Sequence, residues 1–174
     1  MVRRCVFQTI GQAALSSILL VLALHAGPQS ALARPSATPL LPELHDLEAV
    51  AREVRESGLP LLLAFSSSHC RYCVVVEESF LIPMQRSGDY HDKVIMRRIH
   101  IDGSGSLRDR DGAPTTARSL MQGYGVKVTP TLVFLDADGN RLTDDLVGIS
   151  NEYFYGGQLD DAINQALGAI KPKF

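Results

Sequence analysis

Two cysteines separated by two residues, Cys70 and Cys73, are the side chains of this sequence best suited to chemistry. A Cys-x-x-Cys pair supports either thiol–disulfide exchange or half of a zinc site. Besides the adjacent His69, the sequence offers no second Cys-x-x-Cys and no His-x-x-x-His, so we expect no metal site. A permanently closed, inert disulfide is also disfavoured, because so small a loop constrains the unfolded chain little.

The residues on either side of the pair predict its structural setting. Residues 59–65 form a continuous apolar run, which is typical of a strand buried on both faces. Residues 66–69 should turn, and a helix should begin near Cys70 and continue to about Phe80, until Pro83 disturbs it. At a helix start, free backbone N–H groups and the helix dipole favour a thiolate. The pattern therefore indicates that the first cysteine is the reactive one.

The first 33 residues have the pattern of a signal peptide. Arg3 and Arg4 supply a positive start, residues 13–26 are apolar, and residues 31–33 match the small-x-small pattern that signal peptidase recognises. We predict export to the periplasm, with cleavage after Ala33 and no membrane insertion afterwards. An uncleaved anchor is the alternative, but the apolar run is shorter than the roughly 20 residues that a spanning helix needs.

Composition and cysteine usage narrow the classes of function. The net charge is only −2, which gives no reason to expect a nucleic-acid partner. Cleavage after Ala33 removes Cys5, so that only Cys70 and Cys73 of the three cysteines remain. An exported chain with one close pair has no disulfide scaffold to build. The pair is therefore expected to react rather than to brace the fold.

The rest of the sequence predicts an α/β domain over 43–174. Residues 34–42 contain three prolines and should form an extended leader. Short helices after the first two strands make those strands parallel. A closing hairpin adds an antiparallel pair, which gives a mixed four-stranded sheet flanked by helices on both faces and preceded by an N-terminal helix. The predicted elements are a helix over 43–57, strands over 59–65 and 93–101, an exposed loop over 103–114, a helix over 115–124, a strand over 131–135, a turn over 136–140, a strand over 141–147 and a helix from Asn151.

Two stretches of sequence together resemble the exported branch of the thioredoxin superfamily. The first, residues 61–73, is Leu-Leu-Leu-Ala-Phe-Ser-Ser-Ser-His-Cys-Arg-Tyr-Cys, and the second, residues 125–134, is Gly-Val-Lys-Val-Thr-Pro-Thr-Leu-Val-Phe. Residues 146–148, Leu-Val-Gly, fit as well. The resemblance covers about residues 43 to 170 and implies a thioredoxin-like fold with thiol–disulfide exchange and no organic cofactor.

The resemblance also assigns expected roles at the site. It implies that Pro130 is a cis-proline facing the cysteine pair and that Thr129 presents its backbone to an extended substrate strand. His69, Arg71 and Tyr72 are further candidates for substrate contact. His69 is a candidate for stabilising the thiolate, but an exposed turn residue fits it equally well.

The sequence departs from the cytosolic thioredoxins in two ways. It contains no tryptophan, and Ala64 stands where those proteins bury an acid six residues before the first cysteine. The proton acceptor for Cys73 is therefore open between His69, one of Glu77 and Glu78, and water. For the two glutamates, a solvated helix face is the favoured interpretation.

These observations predict a reductase of disulfides in exported proteins. Cys70 attacks the client disulfide, Cys73 resolves the mixed disulfide, and a separate donor or acceptor resets the pair. A disulfide-donating oxidase is the alternative within this class. A binding or chaperone-like module that keeps the fold without turnover is the alternative outside it. Nothing in the sequence demands more than a monomer.

Overall fold

The computed structural model describes residues 41–170. The predicted signal peptide, 1–33, and most of the predicted leader lie outside the described residues. None of the helices within the described range is long and apolar enough to cross a membrane. The elements are α1 (Leu47–Ser57), β1 (Leu61–Ser66), α2 (Arg71–Val76), a π-helical segment (Glu77–Leu81), α3 (Ile82–Ser87), β2 (Ile95–His100), β3 (Leu107–Arg108), β4 (Pro114–Thr115), α4 (Ala117–Gly123), β5 (Thr131–Leu135), β6 (Leu146–Val147) and α5 (Glu152–Ala169).

Four of these strands form one mixed sheet in the order β2-β1-β5-β6. β1 and β2 run parallel, as predicted, with Leu61 opposite Ile95. β5 runs antiparallel to both of its neighbours, β1 and β6. The mixed four-stranded sheet is therefore confirmed, and the two loops that precede α2 and β5 meet at one end of it.

Helices cover both faces of the sheet, as predicted. All six residues of β1 are buried, and successive residues point to opposite faces. Leu62 and Ala64 pack in the apolar cluster that contains α5, whereas Leu63 and Phe65 pack in the cluster that contains α1. The continuous apolar run is thus explained, since neither face of this strand meets water.

The N-terminal helix begins later than predicted, at Leu47 rather than at residue 43. Asp46 caps α1 by accepting a hydrogen bond from the Ala49 N–H at 2.8 Å. The residues before it lie along the free edge of β2, where the Leu44 N–H donates to the Arg98 carbonyl at 2.7 Å. Leu41 is buried with 1% of its surface exposed, so the core includes a residue that precedes the predicted start of the domain.

The helix that follows the cysteines continues past Pro83, which the sequence analysis expected to disturb it. A π-helical turn separates α2 from α3, and Pro83 lies in the first turn of α3. Proline is tolerated in a first turn because it has no backbone N–H, and N–H groups at that position have no intrahelical acceptor. The chain leaves the helix at Gly88, whose φ of 82° is in the left-handed region.

Two further predictions were wrong in part. Residues 103–114 are not only an exposed loop, because they contain β3 and the start of β4, and Leu107 of β3 is buried. The predicted strand 141–147 is reduced to β6 and one isolated bridge at Arg141. The Arg141 side chain instead binds Asp145 at 2.8 Å and the Tyr124 carbonyl at 2.5 Å, and these contacts draw the segment out of the ladder.

Candidate active site

Cys70 and Cys73 lie where β1 passes into α2. Cys70 is the N-cap residue of α2 and has an extended backbone conformation. Its Sγ accepts a hydrogen bond from the Cys73 N–H at 3.1 Å, and the two residues are joined by a disulfide. The strand, turn and helix start that the sequence predicts around the pair are confirmed.

The two sulfur-bearing residues differ in their access to solvent. Cys70 is partly exposed, whereas Cys73 has only 2% of its surface exposed. A bulky disulfide substrate can reach only an accessible sulfur. This arrangement therefore suits Cys70 to attack such a disulfide and Cys73 to attack Cys70 Sγ afterwards. The free N–H groups of the first helical turn stabilise a thiolate at the N-cap position.

Thr129 and Pro130 lie at the same end of the sheet as the disulfide. Pro130 directly precedes β5, whose first residue, Thr131, stands opposite Phe65 near the end of β1. The Thr129–Pro130 peptide bond is cis, and the Pro130 carbonyl accepts a hydrogen bond from the Gly148 N–H at 2.8 Å. Pro130 is buried and Thr129 half-buried. The backbone on either side of this bond therefore flanks the turn that carries the cysteines.

An acidic residue after β2 holds the turn that leads to Cys70. The Asp102 carboxylate accepts hydrogen bonds from the Ser67 hydroxyl at 3.1 Å and from the Ser68 N–H at 2.9 Å. Desolvation raises the pKa of Asp102, but the hydrogen bonds from Ser68 and Ser67 outweigh it and lower the pKa to about 2. The carboxylate therefore stays charged down to strongly acidic pH and anchors the turn.

The three surface residues predicted to contact substrate are all accessible. The His69 side chain is 93% exposed, and its Nδ1 lies 3.5 Å from Asp102 Oδ2. Arg71 is exposed, and Tyr72 is 56% exposed. The structure thus places these residues on the surface beside the pair, although His69 faces an acidic side chain.

Some of the exposed apolar side chains are next to residues of the site in sequence. Several follow or precede residues of the site directly: Val74 follows Cys73, Val128 precedes Thr129 and Val147 precedes Gly148. Exposed apolar side chains of this kind are common at surfaces that contact other molecules. Within residues 41–170, the exposed large apolar residues are Tyr72, Val74, Val128, Val147, Tyr153 and Phe154.

The interpretation of Glu77 and Glu78 as a solvated helix face was half wrong. Glu78 is exposed, as expected, but Glu77 is buried with 9% of its surface exposed. Glu77 accepts a hydrogen bond from the Ser66 hydroxyl at 2.5 Å and one from Arg98 Nη1 at 2.7 Å. Its carboxylate therefore lies between the helix and the sheet, because both partners belong to strands.

Sequence reasoning missed the parts that Asp102 and Arg98 play at this end of the fold. The sequence does hold a signal for Asp102. This residue follows a strand that is predicted to run parallel to β1, and the ends of two parallel strands lie side by side, so Asp102 should lie near the turn before Cys70. For Glu77, the signal is its spacing of four residues from Cys73, which puts both on one face of a helix.

Within residues 41–170, no group of three or more histidine, cysteine or acidic residues is placed to hold a metal ion.

Comparisons with known proteins agree with this architecture. Residues 47–163 match a family described as a thioredoxin-like domain, while no curated protein matches the chain. A mutant of poplar thioredoxin h is similar in structure, with 20% identity, a TM-score of 0.54 and coverage of 80% of this chain and 95% of its own. An oxidoreductase named DsbH is similar with 19% identity, a TM-score of 0.54 and coverage of 79% and 94%. The predicted thioredoxin-like fold is confirmed.

Proposed function

Because this chain belongs to the thioredoxin-like family, we propose that it is a thiol–disulfide oxidoreductase that reduces disulfides in exported proteins. One observation carries the proposal. A disulfide joins an accessible Cys70 to a buried Cys73 at the first turn of α2. An accessible sulfur at a helix start can exchange with a client, and a buried partner one turn away can complete the exchange.

The reaction proceeds in two displacements. The Cys70 thiolate attacks a client disulfide, so that a Cys70–client bond forms and the second client sulfur leaves as a thiolate that takes up a proton. The Cys73 sulfur then attacks Cys70 Sγ, which forms the Cys70–Cys73 disulfide and releases the first client sulfur. The client gains two electrons and two protons, and the protein is left oxidised.

The neighbouring backbone and side chains seat the client. Thr129 and Pro130 lie at the same end of the sheet as the disulfide, where an extended client strand can pair with the backbone of the half-buried Thr129. Tyr72 supplies apolar contact beside Cys70, and His69 and Arg71 line the same surface. These side chains select for polypeptides rather than for small polar disulfides.

The direction of exchange and the compartment are the finer parts of the proposal. Threonine before Pro130 resembles what the reductase and isomerase branches of the superfamily carry, which supports reduction. The basic start, apolar run and small-x-small pattern of residues 1–33 support export to the periplasm. A thiol donor distinct from the client then returns the pair to its dithiol form, and no organic cofactor takes part. We propose that the protein works as a monomer.

Two assays run side by side test the direction. We expect the purified protein to accelerate the reduction of insulin by dithiothreitol about tenfold, and Cys70→Ser to abolish the acceleration. The second assay follows the oxidation of reduced ribonuclease A in a glutathione buffer. Faster oxidation of ribonuclease without acceleration of insulin reduction would make the protein an oxidase. Client binding that survives in both Cys70→Ser and Cys73→Ser, without turnover in either assay, would make it a binding module.

A further inference from the structure

Glu77 is the single charged residue in the buried part of the described chain, residues 41–170. A buried carboxylate is costly unless charge and hydrogen bonds compensate it. Here the compensation is complete on both oxygens, since Oε1 accepts from the Ser66 hydroxyl and Oε2 from Arg98. Such a group can serve stability, function or both. Its position relative to the cysteines points to a function.

Glu77 stands one helical turn after Cys73. Its backbone N–H donates to the Cys73 carbonyl, so a regular turn connects the two residues. Side chains four positions apart on a helix lie on the same face, with Cβ atoms about 5–6 Å apart. Cys73 and Glu77 are both buried, which means that this shared face is the one directed at the sheet.

The second displacement of the exchange needs a group near Cys73 that accepts the proton of its thiol. Cys73 must lose its proton to attack, and a thiol buried among apolar groups gives it up less readily than an exposed thiol. Burial of Cys73 to 2% exposure also limits how readily bulk water and hydroxide reach its sulfur at neutral pH. At neutral pH a group of the protein on the buried side of the helix is therefore better placed to accept this proton than bulk solvent.

We propose, resting on the exchange reaction above, that Glu77 accepts the proton of Cys73, directly or through one water molecule. The proton passes from Cys73 Sγ to the Glu77 carboxylate, the Cys73 thiolate attacks Cys70 Sγ, and the client thiolate leaves. Glu77 then returns the proton to solvent or to the departing client. No electron passes through Glu77, and no additional reactant is required.

The two partners of Glu77 prepare it for this step. Arg98 Nη1 binds one carboxylate oxygen between the helix and the sheet, and the Ser66 hydroxyl binds the other from the end of β1, so that the orientation of the carboxylate is fixed. Each carboxylate oxygen has a second acceptor position in addition to the one already used. The carboxylate can therefore bind a proton without first losing Arg98 or Ser66.

The other acceptors that the sequence leaves open fit this task less well. His69 is 93% exposed and faces Asp102, which places it on the outer side of the turn. Glu78 is exposed, whereas Cys73 is buried. Ala64, on β1 beside Arg98, provides no acidic group. Of the candidates named, Glu77 alone shares the buried face with Cys73.

Two-phase kinetics with 5,5′-dithiobis(2-nitrobenzoate) test the assignment. The reduced protein first releases one nitrothiobenzoate when Cys70 attacks the reagent, and then a second one when Cys73 closes the disulfide. The second phase is unimolecular and independent of reagent concentration, so it isolates the step assigned to Glu77. We expect Glu77→Gln to slow this second phase on the order of tenfold to a hundredfold at pH 7. We also expect its rate to rise about tenfold for each added pH unit, as hydroxide replaces the carboxylate.

The controls separate a proton acceptor from a structural ion pair. Glu78→Gln removes the charge of the adjacent, exposed residue and should leave the rates of both phases unchanged. In Glu77→Gln, the rate of the first phase should stay within about twofold of wild type. If Glu77→Gln does not fold because Arg98 loses its closer acidic partner and keeps only Glu43 at 3.6 Å, the double variant E77Q/R98M removes both buried charges and should show the same slow second phase.

Two results would count against these assignments, and they are distinguishable. A second phase with wild-type rate and pH dependence in either folded variant would overturn the role of Glu77 while leaving the exchange reaction intact. A wild-type protein that shows no concentration-independent second phase would overturn the proposed exchange itself.

Discussion

A Cys73→Ser variant is expected to accumulate a stable mixed disulfide with its client through Cys70. Serine cannot displace the client, because its hydroxyl is not a nucleophile toward disulfides at neutral pH. The catalysed reduction of insulin should be lost, so that the rate falls about tenfold to that of dithiothreitol alone. Non-reducing electrophoresis of the variant with insulin should show a covalent adduct that dithiothreitol dissolves.

The matched control for the trap is Cys70→Ser. Cys73 is buried to 2% exposure, so this variant should form little or no adduct although it retains one thiol of the pair. Equal amounts of adduct in the two variants would mean that both sulfurs are accessible to the client. That result would contradict the division of roles that the burial of the two residues suggests.

The Glu77–Arg98 pair should also contribute strongly to stability. Arg98→Met keeps most of the side-chain volume but leaves the Glu77 carboxylate buried without its cation. Removal of one partner of a buried pair costs about 3–5 kcal/mol. Since the Arg98 and Glu77 side chains keep 16% and 11% exposure, we expect a loss at the lower end, about 3 kcal/mol in the free energy of unfolding. Urea unfolding of the oxidised protein measures it.

The adjacent Arg97 provides a control of the same chemistry. Arg97 pairs with Glu53, whose side chain is 47% exposed, and exposed pairs contribute only about 0–1 kcal/mol. Arg97→Met should therefore change the free energy of unfolding by less than about 1 kcal/mol. Equal losses in the two variants would show that the buried pair has no special weight in the fold.

The features that local sequence determines were the ones that could be predicted. The apolar run of β1 requires burial on both faces, so the strand was found within two residues of its bounds. Asn151 caps α5 by accepting from the Tyr153 N–H at 3.0 Å, which explains why the last helix starts where the polar residue stands. The pair Cys70–Cys73 was placed correctly for the same reason, since strand, turn and helix follow one another in sequence.

Features that depend on contacts between distant segments could not be predicted in this way. Glu77 looks like a surface residue in sequence, and only Ser66 and Arg98, which are 11 and 21 residues away, allow it to be buried. Asp102 meets the turn before Cys70 across 34 residues. Leu107 lies in a stretch rich in glycine and polar residues, and the ladder of β3 with β4 gives this stretch its order.

The reduction potential of the Cys70–Cys73 pair is the measurement to make before all others. Equilibration against reduced and oxidised dithiothreitol or glutathione, followed by thiol trapping, gives the value. We predict a reversible two-electron couple near the thioredoxin value of about −270 mV, rather than near the strong-oxidant value of about −120 mV. A value near −120 mV would reverse the direction of exchange. The absence of any reversible couple would contradict a redox function for this pair altogether.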